Sequence, residues 1–275
     1  MSIKKLCFVG GDRRMSVAAD MFGSDGYDVV GYAMPYCKKC GEEQMLLCDA
    51  LILPTPCTFD GKTVYSPLSS ETVYLDEIKE IAASKPVYCG KVPQGYSGFI
   101  DYYDDALQVS NAAPTAEAAI AIAIEHSDRT LMQSRALIIG GGRVAKALAQ
   151  RLAALGCKTT VAARKAADRA YFKSIYCDTC DIAGMSKVIG GADIIFNTVP
   201  ARILNAECLE AIRRGTPLIE LASSPYCIDQ SQAGACGIEF IKAPGLPGKY
   251  FCITAGEAIY ERIKEYILNE EQKSK

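Results

Sequence analysis

The chain has a single histidine, His126, no apolar run near the ~18 residues that a membrane-spanning helix requires, and no long block of one charge. Each absence excludes something. One histidine, remote from both Cys-x-x-Cys pairs, leaves a mixed Cys/His zinc site short of ligands. Thirty basic and 32 acidic side chains nearly cancel, so no electrostatic footprint for nucleic acid or an anionic membrane is present. The first residues lack the basic-then-apolar plan of a signal peptide, and the expectation is a cytoplasmic protein. Cysteine, by contrast, is abundant. The 13 thiols are scattered, and the pairs Cys37/Cys40 and Cys177/Cys180 fall in different domains, so they are read as reduced structural or incidental thiols, with no metal.

The rest of the chain is arranged around one stretch. Residues 136–139 form a short apolar run suited to a buried parallel strand, and Val144, Leu148, Leu152 and Leu155 repeat at helical spacing up to Gly156. Between them lies Gly140-Gly141-Gly142-Arg143-Val144-Ala145, the G-x-G-x-x-A form of the dinucleotide fingerprint. Gly140 permits the tight turn, Gly142 lets a pyrophosphate reach the backbone at the helix N-terminus, and the small Ala145 lets helix and strand pack closely. The next strand, residues 158–164, lacks the Asp or Glu that would bind an NAD ribose 2′-hydroxyl and ends instead in Arg164 and Lys165. A guanidinium and an ammonium there match a 2′-phosphate, and Arg143 adds a further charge, so the expected cofactor is NADP(H).

Residues 4–9 read as a strand that runs into Gly10-Gly11-Asp12-Arg13-Arg14 and a helix over 15–22. Further strands at 27–32, 49–54, 85–90 and 106–109, with a helix over 69–84, complete a first α/β domain, residues 1–112. Its glycine turn lacks the full fingerprint, which makes it a substrate or partner domain. Residues 113–130 form an interdomain helix and linker, capped by Thr115, apolar all round and therefore buried; His126 at its end reads as a surface residue. The NADP-binding domain, residues 131–252, continues with strands at 193–199, 218–222 and 238–243 and a helix over 205–214. Its strand ends place Asn197-Thr198-Val199-Pro200, Leu221-Ala222 and Pro244-Gly245-Leu246-Pro247 on the cofactor face, the last as a wall for the nicotinamide ring. Residues 253–275 form a closing helix, opened by a Thr254–Glu257 capping box and striped by Ile259, Ile263 and Ile267, that packs back on the first domain. The expected fold is α/β: two Rossmann-like doubly wound parallel-sheet domains joined by a buried interdomain helix.

Several of these stretches resemble, nearly end to end, the A-subunit family of dipicolinate synthase. They are Gly10-Gly11-Asp12-Arg13, Pro114-Thr115-Ala116-Glu117, the Gly140 turn, Asn197-Thr198-Val199-Pro200-Ala201, Glu220-Leu221-Ala222-Ser223, Pro244-Gly245-Leu246-Pro247-Gly248 and Thr254-Ala255-Gly256. The resemblance implies bound NADP(H) and formation of dipicolinate, pyridine-2,6-dicarboxylate, from a dihydrodipicolinate-type product of the lysine pathway, with a flavoprotein B subunit, in sporulating bacteria. The chain departs from the family at Ser224-Pro225-Tyr226-Cys227, where Lys-Pro-Gly-Gly is usual, and at Cys252-Ile253, where Pro-Lys is usual. Aromatising such a dicarboxylate needs cations for its carboxylates. Arg13, Arg14 and Lys249 are the candidates, with Asp12 as proton acceptor and the substrate expected between the domains, its carboxylates on the first. For the arginines the alternative is pairing with a local carboxylate such as Asp20 or Asp25. Two rival functions stay open: another NADP-dependent dehydrogenase of shikimate-dehydrogenase-like build, whose Lys and Asp pair has no clear counterpart here, and a non-catalytic nucleotide-binding subunit. Assembly into a homo-oligomer is also left open.

Overall fold

Runs such as β1 (Lys5–Val9), whose last four side chains are buried, are what a parallel strand covered on both faces requires. A computed structural model describes residues 3–35 and 37–273. The chain divides into two units, Met1–Asn111 with Pro247–Lys275, and Ala112–Leu246.

In the first unit β1 is followed by α1 (Arg13–Ser24), β2 (Asp28–Tyr32), α2 (Glu42–Leu46), β3 (Ala50–Ile52), α3 (Leu75–Ala82), β4 (Val87–Cys89), β5 (Ile100–Asp101) and α4 (Asp105–Ser110). The strands pair in parallel in the order β2-β1-β3-β4-β5. That order is doubly wound, and its switch point lies between β1 and β3. Residues 106–109, expected as a strand, are helical, because the Asp104 carboxylate caps α4 by accepting from the Leu107 N–H at 3.2 Å. The helix expected over 69–84 is confined to α3, since the preceding residues are drawn into a ladder in which Val64 N–H donates to the Val73 carbonyl at 2.9 Å.

The second unit runs α5 (Ala112–Glu125), β6 (Arg135–Ile139), α6 (Arg143–Ala154), β7 (Lys158–Ala162), α7 (Ala166–Ser174), β8 (Asp178–Cys180), α8 (Ser186–Ile189), β9 (Ile194–Asn197), α9 (Ala206–Ala211), β10 (Pro217–Glu220), α10 (Gln230–Cys236) and β11 (Glu239–Lys242). Its six strands lie in the order β11-β10-β9-β6-β7-β8, which from β6 outwards is the Rossmann order with its switch point between β6 and β9. Two expectations are corrected here. Helix α5 is the first element of this unit, packed along α6, and not a separate interdomain segment of residues 113–130. It also begins before Thr115: Pro114 sits in the first turn, where its missing N–H costs nothing, so Thr115 is no cap.

The chain then returns to the first unit. Helices α11 (Leu246–Tyr250) and α12 (Cys252–Lys273) follow β11, and the division falls at Pro247 and not at 252. The expected Pro/Gly wall is therefore half helix. Ile259, Ile263 and Ile267 of α12 are fully buried against Phe22, Met15 and Ala18 of α1. Thr254 is already inside α12 and caps nothing; the small residues beside it serve a helix crossing, for a Cβ on Gly256 would lie 2.6 Å from Val17 Cβ and 2.7 Å from the Arg14 carbonyl oxygen. Among the described residues no helix is long and apolar enough to cross a membrane.

Candidate functional site

In the second unit the site is built at the ends of β6, β9 and β10. Gly140 has φ of +117°, and a Cβ there would collide with Thr198 Oγ1, so glycine is required on both counts. Thr198 is locked in that place, its N–H and Oγ1 both donating to the Ile139 carbonyl at 2.9 and 2.8 Å. Gly142 caps α6 without a side chain and a Cβ on it would meet nothing within 4 Å, so the first turn of α6 presents backbone N–H groups to open space. Those features fit a dinucleotide pyrophosphate. Ala145 is buried beneath, as close helix–strand packing demands.

Asn197 and Glu220, both fully buried, lace the neighbouring strand ends together. Asn197 Nδ2 donates to Glu220 Oε1 at 2.7 Å and to the Val199 carbonyl at 2.9 Å, while Val199 N–H donates to Asn197 Oδ1 at 3.2 Å. The Glu220 carboxylate also accepts from Ala222 N–H at 3.1 Å and Cys227 N–H at 2.8 Å, which shapes the loop that carries Leu221 and Ala222. Pro200 and Pro244 with Gly245 are exposed at these ends, and Leu246 is buried. Sequence reasoning gave Glu220 no role, although an acid closing an apolar strand is the signal that marks it.

At the end of β7, Arg164 and Lys165 are exposed, and neither forms an ion pair with a described residue. The turn beneath them is held by Arg169, whose Nη1 donates to the carbonyls of Ala163 and Arg164, both at 2.7 Å, and to Asp181 at 2.8 Å. Arg143 is exposed on the first turn of α6. One residue was missed: Asp168, on the first turn of α7, stands over Gly141, where an added Cβ would lie 2.8 Å from its Oδ2, and it is 3.9 Å from Lys146 Nζ.

In the first unit the switch point holds Arg14. Its Nε donates to Asp12 Oδ1 at 2.9 Å and its Nη2 to Asp12 Oδ2 at 2.8 Å and to the Thr55 carbonyl at 2.6 Å, a clamp across the ends of β1 and β3. Asp12 also caps α1, accepting from the Arg14 N–H at 3.1 Å. Burial works against the Arg14 charge, but Asp12 outweighs it and holds the guanidinium protonated. The partner of Arg14 is thus Asp12, not Asp20 or Asp25; the Asp25 carboxylate accepts from Lys264 and Tyr260 of α12. Both oxygens of Asp12 are engaged as acceptors, which suits it to holding Arg14. Arg13, beside it, is exposed and without an ion pair among the described residues.

Lys249 belongs to this unit. It is exposed on α11, one residue after Gly248, whose position leaves an added Cβ only 3.0 Å from Arg14 Nε. The structure brings Asp12, Arg13, Arg14 and Lys249 to one region of the first unit, whereas the sequence reading gave Lys249 to the nucleotide domain. The Gly10-Gly11 turn of this unit is closed by Tyr65: Gly11 N–H donates to the Tyr65 carbonyl at 2.7 Å, and a Cβ on Gly10 would lie 3.0 Å from the same oxygen. The turn that lacks the fingerprint is covered by protein.

Sheet order and glycine turn define a dehydrogenase-type protein with a nicotinamide-dinucleotide domain, and residues 115–231 match the family described as "D-isomer specific 2-hydroxyacid dehydrogenase, NAD binding domain". Residues 5–104 match the family of the N-terminal domain of the dipicolinate synthase A subunit. The chain is similar along nearly its whole length to dipicolinate synthase A subunits. It is 28% identical to the dipicolinate synthase A subunit of Bacillus subtilis (strain 168), over 93% of each chain. The crystal structure of the A subunit from Bacillus halodurans superposes with a TM-score of 0.87 at 25% identity, covering 97% of this chain and 98% of the other. That of the B. subtilis A subunit gives 0.86 at 26% identity, covering 100% and 99%.

Proposed function

We propose that the chain is the NADP(H)-dependent oxidoreductase subunit that forms dipicolinate from a dihydrodipicolinate-type intermediate of the lysine pathway, acting with a flavoprotein B subunit in the cytoplasm of a sporulating cell. The observation that carries the reading is the pairing, in one chain, of an open Gly142 helix terminus with a cationic group around Arg13 and Lys249. A bound oxidised nicotinamide would supply the hydride acceptor. The chain's own residues do the rest. Backbone N–H groups of the Gly140 turn take the phosphates, the Asn197–Glu220 lacing fixes the loops beside them, and Arg164 with Lys165 binds a 2′-phosphate. Arg13 and Lys249 hold substrate carboxylates, and Arg14, fixed by Asp12 and Thr55, sets the frame on which Arg13 stands.

Asp168 favours a second reading of the cofactor. A carboxylate beside the second glycine of the turn can accept from a ribose hydroxyl and would repel a phosphate, so NAD(H) is the competing choice. Titration of the purified protein with both cofactors separates them, and equal affinities refute the NADP preference.

The reaction is tested by following nicotinamide reduction with the dihydrodipicolinate-type substrate, with and without the flavoprotein. Activity without it marks a self-sufficient dehydrogenase; no reduction under either condition marks a nucleotide-binding subunit. Arg13→Ala should lower activity by more than about tenfold, ~1.4 kcal/mol, while cofactor affinity stays unchanged. Full activity in that variant would move the substrate site elsewhere.

A further inference from the structure

Neither site uses the thiols gathered on one face of the first unit's sheet. Cys7, on β1, is fully buried, and its Sγ lies 3.7 Å from Sγ of Cys40, in the segment between β2 and α2. Cys48 also reaches Cys7. Cys37 does not share this contact. Alternate residues of a strand face opposite ways, and Cys37 packs with Leu6 and Phe8 on one face while Cys40 packs with Cys7 and Val9 on the other. The Cys-x-x-Cys pair is thus split by the sheet, and the sulfur that Cys40 meets comes from 33 residues earlier.

The two thiols in contact differ in access. Cys40 is half-buried and lines a cavity of about 150 Å³ together with Lys39, Ser69, Ser70 and Glu71, whereas Cys7 stands behind it without exposure. A small solute in the cavity meets Cys40 first. The hydrogen bond from Cys7 holds the Cys40 thiol below its usual range, and the same contact, with burial, pushes Cys7 up. Cys7 lowers Cys48 as well, to about 7, but Cys48 is buried and does not line the cavity, so access singles out Cys40 as the thiol an oxidant meets, with Cys7 behind it.

We propose that Cys40 and Cys7 form an oxidation site in which a hydroperoxide entering the cavity oxidises Cys40 and Cys7 resolves the product as a disulfide. The Cys40 sulfur attacks a peroxide oxygen, the O–O bond breaks, and a sulfenic acid forms while the departing oxygen takes up the proton Cys40 gave. The Cys7 sulfur then attacks the sulfenic sulfur, the S–S bond forms, and hydroxide leaves with the Cys7 proton as water. Two thiols lose two protons and two electrons, and hydrogen peroxide becomes two waters. The sulfurs must close from 3.7 Å to about 2.05 Å, a shift asked of the irregular segment bearing Cys40 and not of β1.

The test exposes the full, reduced chain to hydrogen peroxide, blocks remaining thiols with an alkylating agent, and maps the digest by mass spectrometry. The linked peptides of Cys7 and Cys40 should be the main disulfide product, and Cys40 should react at least about tenfold faster than the other half-buried thiols Cys37, Cys180, Cys236 and Cys252. Cys40→Ser should abolish the link. Cys7→Ser should leave a Cys40 sulfenic acid that a 1,3-dione captures; should that core variant not fold, the map of the unaltered chain decides alone. A main link between Cys7 and Cys48, oxidation spread evenly over the thiols, or no link at all overturns the proposal.

Discussion

Arg164 is exposed at the end of β7 and free of protein ion pairs among the described residues, as the 2′-phosphate contact proposed for it requires. Arg164→Ala should cost about 1.5–3 kcal/mol of NADP(H) affinity, the scale of a hydrogen bond to a charged group, and leave NAD(H) binding nearly unchanged; calorimetric titration of both cofactors reads this directly. Asp168→Asn should act in the opposite sense, raising NADP(H) affinity relative to NAD(H). Glu220 is a different kind of residue, buried with three donors aimed at it. Glu220→Ala would leave two backbone N–H groups and one of the two Asn197 Nδ2 hydrogens without an acceptor, the other still donating to Val199, each worth about 1–3 kcal/mol when buried unpaired, so the melting temperature should fall along with cofactor affinity. The fingerprint glycines were legible in the sequence because their turn rests on local spacing. Glu220 and Asp168 were not, because their partners lie on other strands and turns.

Elements tell the same story in reverse. The core strands could be read from their apolar runs, since both faces of a parallel sheet are covered, whereas helix ends were misread at 69–84, at Thr115 and at Thr254. A capping residue advertises itself in sequence, but whether it caps depends on what packs above it. Gly256 shows this: with its neighbours it resembles a helix start, yet it is the point where α12 lies against α1. Gly256→Ala should force Val17 and the Arg14 carbonyl apart and lower stability by about 1–3 kcal/mol, measured as a shift in the urea midpoint at constant m. The same docking is held at its edges by Asp25 with Lys264 and Tyr260, and by Asp104 with Arg262. The Lys264 and Tyr260 hydrogen bonds hold the Asp25 carboxyl below its usual range; at Asp104 burial pulls the other way, but the Leu107 N–H and Arg262 outweigh it. Both carboxyls therefore titrate lower in the folded than in the unfolded chain. Their stabilisation is complete above the unfolded value of about 3.9 and fades as the pH falls through the depressed folded values. Asp104→Asn should be less stable at neutral pH and lose less on acidification than the unaltered chain, as denaturant midpoints across that range would show.

At the scale of the whole molecule, the first unit is made of two separated stretches of chain, with all of the second unit between them. Ile263→Ala, in the buried stripe of α12, should cost about 2–5 kcal/mol, as large-to-small changes in a core do, and the loss should register in the melting of the first unit. The interruption also bears on how the protein comes into being. A ribosome delivers residues 1–111 first, but those residues leave Phe22, Met15 and Ala18 bare until α12 has been made. The second unit, contiguous in the chain, needs nothing that is synthesised after Leu246. The usual order, in which the earlier domain matures first, is therefore inverted: the nucleotide-binding half can acquire protease resistance on the ribosome while the half that precedes it waits for α12 to be made.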